Sequence, residues 1–218
     1  MALVESLTWL FLLTVMSSSA AQHESLLQNC SSATQLLERL SESVECGESL
    51  LSALSAQETA ALLLSIRDVT DTLSKHQLKE CHGAEPKQCP EAEVPDNGGL
   101  ACVTVADKRY CKPLCNHGYD FGFMRRSRLY DECSKQTGYK WQSQYVGGNK
   151  LAVCNKESIQ VSGAKTAYFP EDQDCLTTKS SSQLQANITD GFMTELKNQG
   201  VQGESQYDCL VCGSSSVA

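Results

Sequence analysis

The chain has 218 residues, 12 cysteines, 18 basic and 26 acidic side chains, a formal net charge of −8 and 6% aromatic residues. An acidic whole disfavours nucleic acid and anionic lipid as partners. An even, high cysteine count behind an apolar leader argues against a reducing, cytosolic setting.

The leader comes first. Leu7 to Ser17 is an uncharged, largely apolar run, and the small residues Ser18, Ser19, Ala20 and Ala21 follow it. This is the pattern of a secretory signal over 1–21, cleaved after Ala20 or Ala21, although the leading segment carries Glu5 and no Lys or Arg. No later apolar stretch approaches the ~20 residues of a spanning helix, so no membrane insertion is expected. All 12 cysteines lie beyond the leader, which predicts a secreted, extracellular, fully oxidised chain. Two sequons, Asn29-Cys30-Ser31 and Asn187-Ile188-Thr189, mark it as a glycoprotein. Asn187 is the better acceptor, because the cysteine inside the first sequon competes through its own pairing.

Residues 22–81 are expected to form a helical hairpin. Leu37, Leu40 and Val44 share one helical face; Leu62, Ile66, Val69 and Leu73 share another. Cys46-Gly47 marks a stop, Leu50, Leu51 and Leu54 a short bridge, and Ser55 with Glu58 a capping box that opens the second helix. In an antiparallel hairpin Cys30 and Cys81 lie at the same end, which predicts Cys30–Cys81. The apolar pattern is too short for a sustained coiled coil, so the hairpin is expected to pack within the chain. Residues 82–88 read as a linker.

Residues 89–154 lose helical periodicity. Gly, Asn and aromatic residues appear between closely spaced cysteines, as in a small disulfide-held β unit. Cys89-Pro90 with Pro95-Asp96-Asn97-Gly98, Cys115-Asn-His-Gly-Tyr-Asp-Phe121, Tyr130-Asp-Glu-Cys133, Trp141 and Cys154 occur in that order. In this order they resemble the framework of a sushi (complement control protein) module. Cys102 and Cys111 make it similar to the six-cysteine, selectin-like type. The resemblance implies Cys89–Cys133, Cys115–Cys154 and Cys102–Cys111, with Trp141 in the core. The chain departs from the family at Gly138-Tyr-Lys-Trp141 and in the long step from Trp141 to Cys154. A module of this size has a thin core and needs its bridges, each worth ~2–4 kcal/mol.

Residues 155–218 read as a compact, disulfide-bonded α+β tail. Ser158–Ser162 alternates like a strand, Thr166–Phe169 suggests another, and Pro170–Asp174 is an acidic loop. Leu184, Ile188, Phe192 and Leu196 form an amphipathic helical face that ends before Gly200, and Tyr207–Val211 suggests a closing strand. The fold class is thus a disulfide-rich α+β protein: helical hairpin, sushi-like module, tail. Cys30, Cys46, Cys81, Cys175, Cys209 and Cys212 have several possible connectivities; with Cys30–Cys81, Cys46 must join the tail.

Little points to catalysis or metal chemistry. Cys209-Leu-Val-Cys212 has redox spacing but ends a strand-like run instead of opening a helix, so two structural bridges are the better account. Cys81-His82 and Cys115-Asn-His117 lack the paired spacing of a zinc site, and no serine-hydrolase elbow or metalloprotease motif occurs. No enzyme activity, metal or cofactor is expected. Lys108, Arg109, Lys112, Arg125, Arg126 and Arg128 form the one basic concentration, in a stretch of net +2 between flanks of −5 (22–88) and −4 (155–218). They suggest a docking patch for an extracellular protein or a sulfated glycan. The expected function is a secreted recognition module. The alternatives are a structural subunit assembled through its N-terminal helices and a thiol–disulfide enzyme using Cys209 and Cys212. The sequence does not decide the oligomeric state.

Overall fold

Ser55 opens the first described helix as expected. Its backbone N–H and its hydroxyl both donate to Glu58 Oε2, at 2.9 and 2.7 Å, and Glu58 N–H returns a bond to Ser55 Oγ. These reciprocal bonds satisfy donors that a helix start leaves unpaired. They also hold the Glu58 carboxyl below its ordinary value. The helix, α1, runs Ala56–Leu78 and continues into a 3₁₀ turn at Lys79–Gly83. The computed structural model describes residues 41–42, 47, 52–145 and 148–215. The signal segment, Leu37, Leu40 and Val44 of the expected first arm, Asn29, Cys30 and Cys46 lie outside the described residues. The chain divides into two compact units, Met1–Ser65 and Ile66–Ala218, with the boundary inside α1.

The second unit is built around a long hairpin. Strands β1 (Gly98–Val105) and β2 (Lys108–Cys115) pair antiparallel in full register, from Gly98 opposite Cys115 to Val105 opposite Lys108. The connection is the pair Ala106-Asp107, both with positive φ, as a two-residue turn of matching twist requires. Short strands β3 (Tyr119–Phe121), β4 (Asp131–Cys133) and β5 (Cys154–Lys156) follow. Helices α2 (Cys175–Lys179) and α3 (Ser182–Asn198) precede the last strand, β6 (Tyr207–Cys212). The main sheet has the order β4-β2-β1-β6, and β3 pairs with β5 in a separate two-stranded sheet.

Both faces of the main sheet are covered, which is why β1 is buried at every position. Ala101, Val103 and Val105 point with Tyr110, Leu114 and Leu210 toward Phe192, Met193 and Leu196 of α3. Leu100, Cys102, Cys111 and Val211 belong to the opposite layer, with Cys81, Cys89, Cys133, Trp141 and Leu151. The alternation of side chains along each strand sends neighbours to opposite layers. The expected helical face of the tail is observed: α3 buries Phe192, Met193 and Leu196.

Three expectations need correction. The boundary at 154/155 is not a structural one, because β6 pairs with β1 from Gly99–Cys212 to Thr104–Tyr207. A central strand leaves a full row of backbone donors and acceptors on its second edge, and β6 satisfies them. Ser158–Ser162 is not a strand; the backbone N–H groups of Val161 and Ser162 donate instead to the Asp120 carboxylate. Within Thr166–Phe169 the chain forms a 3₁₀ turn, Lys165–Ala167, and a single bridge from Tyr168 to Cys115.

Asp120 pins this loop to β3. Burial opposes its charge, but hydrogen bonds from Tyr168, Val161, Ser162 and Phe121 outweigh that and bring its carboxyl down to about 2. Burial first, and then the bond to Asp120, push the Tyr168 hydroxyl up to about 12. The folded Asp120 value lies below the ~3.9 of an unfolded aspartate, so its stabilisation is complete above that value and disappears as pH falls toward 2. The shift corresponds to about 2 kcal/mol. A series of melting temperatures between pH 5 and pH 2 should show this loss. Asp120→Asn should flatten that part of the profile; an unchanged slope would refute the assignment.

Candidate functional site

Five disulfides join the ten cysteines among the described residues. Cys89–Cys133, Cys102–Cys111 and Cys115–Cys154 are present, the pairs that the family resemblance implies. The other two are Cys81–Cys209 and Cys175–Cys212. The expected Cys30–Cys81 bond is therefore wrong, and the tail cysteines Cys175, Cys209 and Cys212 are all bonded to described residues. The reason is non-local: β6 brings Cys209 beside the 3₁₀ turn that carries Cys81.

The same strand explains why Cys209 and Cys212 are not a redox pair. Three positions apart along a strand, they point to opposite faces of the sheet. Cys209 bonds the turn after α1, and Cys212 bonds the start of α2. The two structural bridges expected of this segment are observed, and Cys209 and Cys212 are not bonded to each other.

The basic patch is dismantled as well. Arg109, Lys112 and Arg125 are only 1%, 3% and 2% exposed. Arg109 donates to both oxygens of Glu91, at 3.2 and 2.8 Å, and to the carbonyl of Cys81 at 3.0 Å. Lys112, on the other face of β2, meets Glu195 of α3 at 2.6 Å. Burial pulls the Lys112 ammonium below its ordinary value, against the pull of Glu195. Arg125 bonds Asp131 at 2.9 Å and the Leu151 carbonyl at 2.8 Å, and Arg128 shares Asp131. Lys108 pairs with Glu132 at 3.5 Å. Arg126 alone of the six is exposed without a carboxylate partner, its Nε donating to the Val161 carbonyl. Three of the six charges are thus buried and two more are paired, so they do not make up one exposed basic face. Lys112 sits between Cys111 and Pro113 in a strand, and that flanking is the one sequence signal that anticipates burial.

Trp141 is buried, 7% exposed, and its Nε1 donates to the Pro90 carbonyl at 2.8 Å. Asn187 lies on an exposed part of α3, its Oδ1 accepting from Gln183.

Two features remain as candidates for function. The first is the outer part of α1. Its C-terminal end is anchored to β6: Gln77 exchanges two hydrogen bonds with the backbone of Cys212, Tyr207 Oη donates to the Glu80 carbonyl, and Cys81 bonds Cys209. No residue of α1 is buried. Within Ile66–Leu78, Ile66, Val69 and Leu73 are 49%, 48% and 60% exposed. Comparison of the chain with protein-family models, with curated proteins and with solved structures returns no match. In the first unit, Leu62, Leu63 and Leu64 of the same helix are also exposed.

The second feature is a cavity of about 380 Å³ beside the anchor, lined by Leu78, Cys81, Leu100, Cys102, Arg109 and Val211 among others. The sulfurs of Cys81 and Cys102, which line it, and of Cys209 lie within 4.8 Å of one another. All three are oxidised, so none offers the thiolate that a metal requires. Among the described residues no helix is long and apolar enough to cross a membrane.

Proposed function

We propose that the protein is a secreted glycoprotein acting as an extracellular recognition module, with α1 as its binding element. The observation that carries this reading is an anchored helix whose apolar stripe, Ile66, Val69 and Leu73, stays exposed. Steps of three and four residues put these side chains on one side of the helix, the spacing that interlocks with a second amphipathic helix. The partner is accordingly an extracellular protein that offers such a helix. A sulfated glycan is no longer favoured, because the charges that suggested it are buried or paired. Five disulfides are compatible with an oxidising compartment. The pairs Cys89–Cys133, Cys102–Cys111 and Cys115–Cys154, together with buried Trp141, support reading 89–154 as a sushi-like core onto which β6 and α3 are added. The binding role of that family is an analogy of fold. The exposure of Asn187 supports its use as the glycan acceptor.

The test is capture of extracellular proteins by the mature chain and by the variant Ile66→Lys, Val69→Lys, Leu73→Lys, with light scattering on both. These side chains are exposed, so the variant should fold with little change in stability. A partner that binds the native chain and loses about tenfold or more in affinity to the variant is the expected result. Equal capture by both chains would refute the stripe. A native dimer that the variant abolishes would favour the structural-subunit reading instead.

A further inference from the structure

Four cysteines form a continuous row across three strands and the turn after α1. Cys102 of β1 stands directly opposite Cys111 of β2 on one side and Cys209 of β6 on the other. Directly opposed residues project to the same face. Cys102 is bonded to Cys111, and Cys209 is bonded to Cys81. The sulfur of Cys102 lies within 4.8 Å of both Cys209 and Cys81, so the two separate bridges are neighbours. Cys81 and Cys102 both line the cavity of about 380 Å³, which gives a small molecule access to the Cys81 end of the row. Arg109 faces the same layer. Its Nη2 donates to the Cys81 carbonyl, and it precedes Cys111 by two positions on β2, on the same side. Its Nε is buried with no hydrogen-bond partner.

From this arrangement we infer that the row is a covalent capture site for a small thiol. A thiolate RS⁻ entering the cavity attacks Cys81 Sγ. The R–S–S–Cys81 bond forms, the Cys81–Cys209 bond breaks, and Cys209 leaves as a thiolate. Cys209 then attacks its register partner Cys102. The Cys102–Cys209 bond forms, the Cys102–Cys111 bond breaks, and Cys111 leaves as a thiolate on the sheet face that it shares with Arg109. The proton lost by RSH ends on Cys111. Two disulfides are present before and after, so no external oxidant or reductant is needed. The second step removes the one thiolate that could expel the captured thiol, and this makes the adduct persist. Of the acids that line the cavity, Glu91 is held by Arg109 and Glu93 lies 3.9 Å from Lys150 Nζ, which leaves Asp96 to favour a thiol that carries an ammonium group. Capture also removes the covalent anchor of α1, because Cys81 exchanges Cys209 for the incoming thiol.

The test uses the full mature chain, folded and oxidised, incubated with cysteamine and, in parallel, with glutathione. Free thiols are then alkylated, and the peptides are mapped by mass spectrometry. The expected products are an adduct on Cys81, a Cys102–Cys209 crosslink and one alkylated thiol on Cys111, in equal amounts and formed faster with cysteamine. An adduct on Cys209, or an adduct on Cys81 with Cys102–Cys111 intact, would overturn the relay. Labelling by glutathione as fast as by cysteamine would overturn the ammonium preference. In the double variant Cys102→Ser, Cys111→Ser, the adduct at a given thiol concentration should fall about tenfold, because Cys209 can then return to Cys81. If that variant does not fold, the product map of the native chain decides the matter.

Discussion

Arg125→Ser is expected to cost about 3–5 kcal/mol of stability, the cost of breaking a buried ion pair from one side. Arg125 and Asp131 meet at 2.9 Å, with side chains 2% and 0% exposed. Removing the guanidinium leaves the Asp131 carboxylate with Arg128 alone, whose side chain is partly exposed. It also leaves the Leu151 carbonyl without its donor and empties the space against the Phe121 ring, 5.9 Å from the guanidinium carbon. Arg126→Ser is the internal control. Arg126 is exposed and bonds only a loop carbonyl, so its loss should stay within about 0.5 kcal/mol. Urea denaturation of the two variants measures the difference, and equal midpoints would show that the Arg125–Asp131 pair does not hold the fold. Arg125→Met combined with Asp131→Leu should recover much of the loss, since an apolar pair of similar volume avoids the desolvation that two buried charges incur.

Trp141→Ala should be as damaging, at about 3–5 kcal/mol. The indole lies in the same buried cluster as Cys89, Cys102, Cys111, Cys133 and Leu151. Truncation opens a cavity among bridges that hold their positions covalently and so cannot collapse into the space. It also removes the donor to the Pro90 carbonyl. Poor secretion and a lowered Tm are the expected results. Trp141→Phe should recover part of the packing but not the hydrogen bond. Native secretion and Tm in the alanine variant would show that the ring does not fill the core.

These two side chains were differently legible. Trp141 stands in a stretch whose resemblance to a sushi module implied a core position. Arg125 stands in Met-Arg-Arg-Ser-Arg, which looks like an exposed basic run, and its partner Asp131 is one of several nearby acids. Arg109 and Lys112 deceived for a related reason. A strand sends alternate residues to opposite faces, and a charged residue in it is normally read as facing water. In β2 both faces are covered, so Arg109 meets Glu91 in one layer and Lys112 meets Glu195 in the other. That second covering comes from α3, a full domain length away in sequence.

What the sequence by itself determined is local. The Ser55–Glu58 box starts α1 because its bonds close within one turn. The face of α3 follows from a repeat close to 3.6 residues, and the cysteine-rich composition of the whole chain follows from a core too thin to hold without bridges. Only the tertiary structure decided where β6 goes, and with it the Cys81–Cys209 and Cys175–Cys212 bonds, the shared sheet that erases the boundary at 154/155, and the row Cys111-Cys102-Cys209-Cys81. The physical reason is that strand pairing is specified by backbone groups common to every residue. Which edge a distant strand joins is therefore settled by the packing of both sheet faces, and no short stretch of the sequence carries that information.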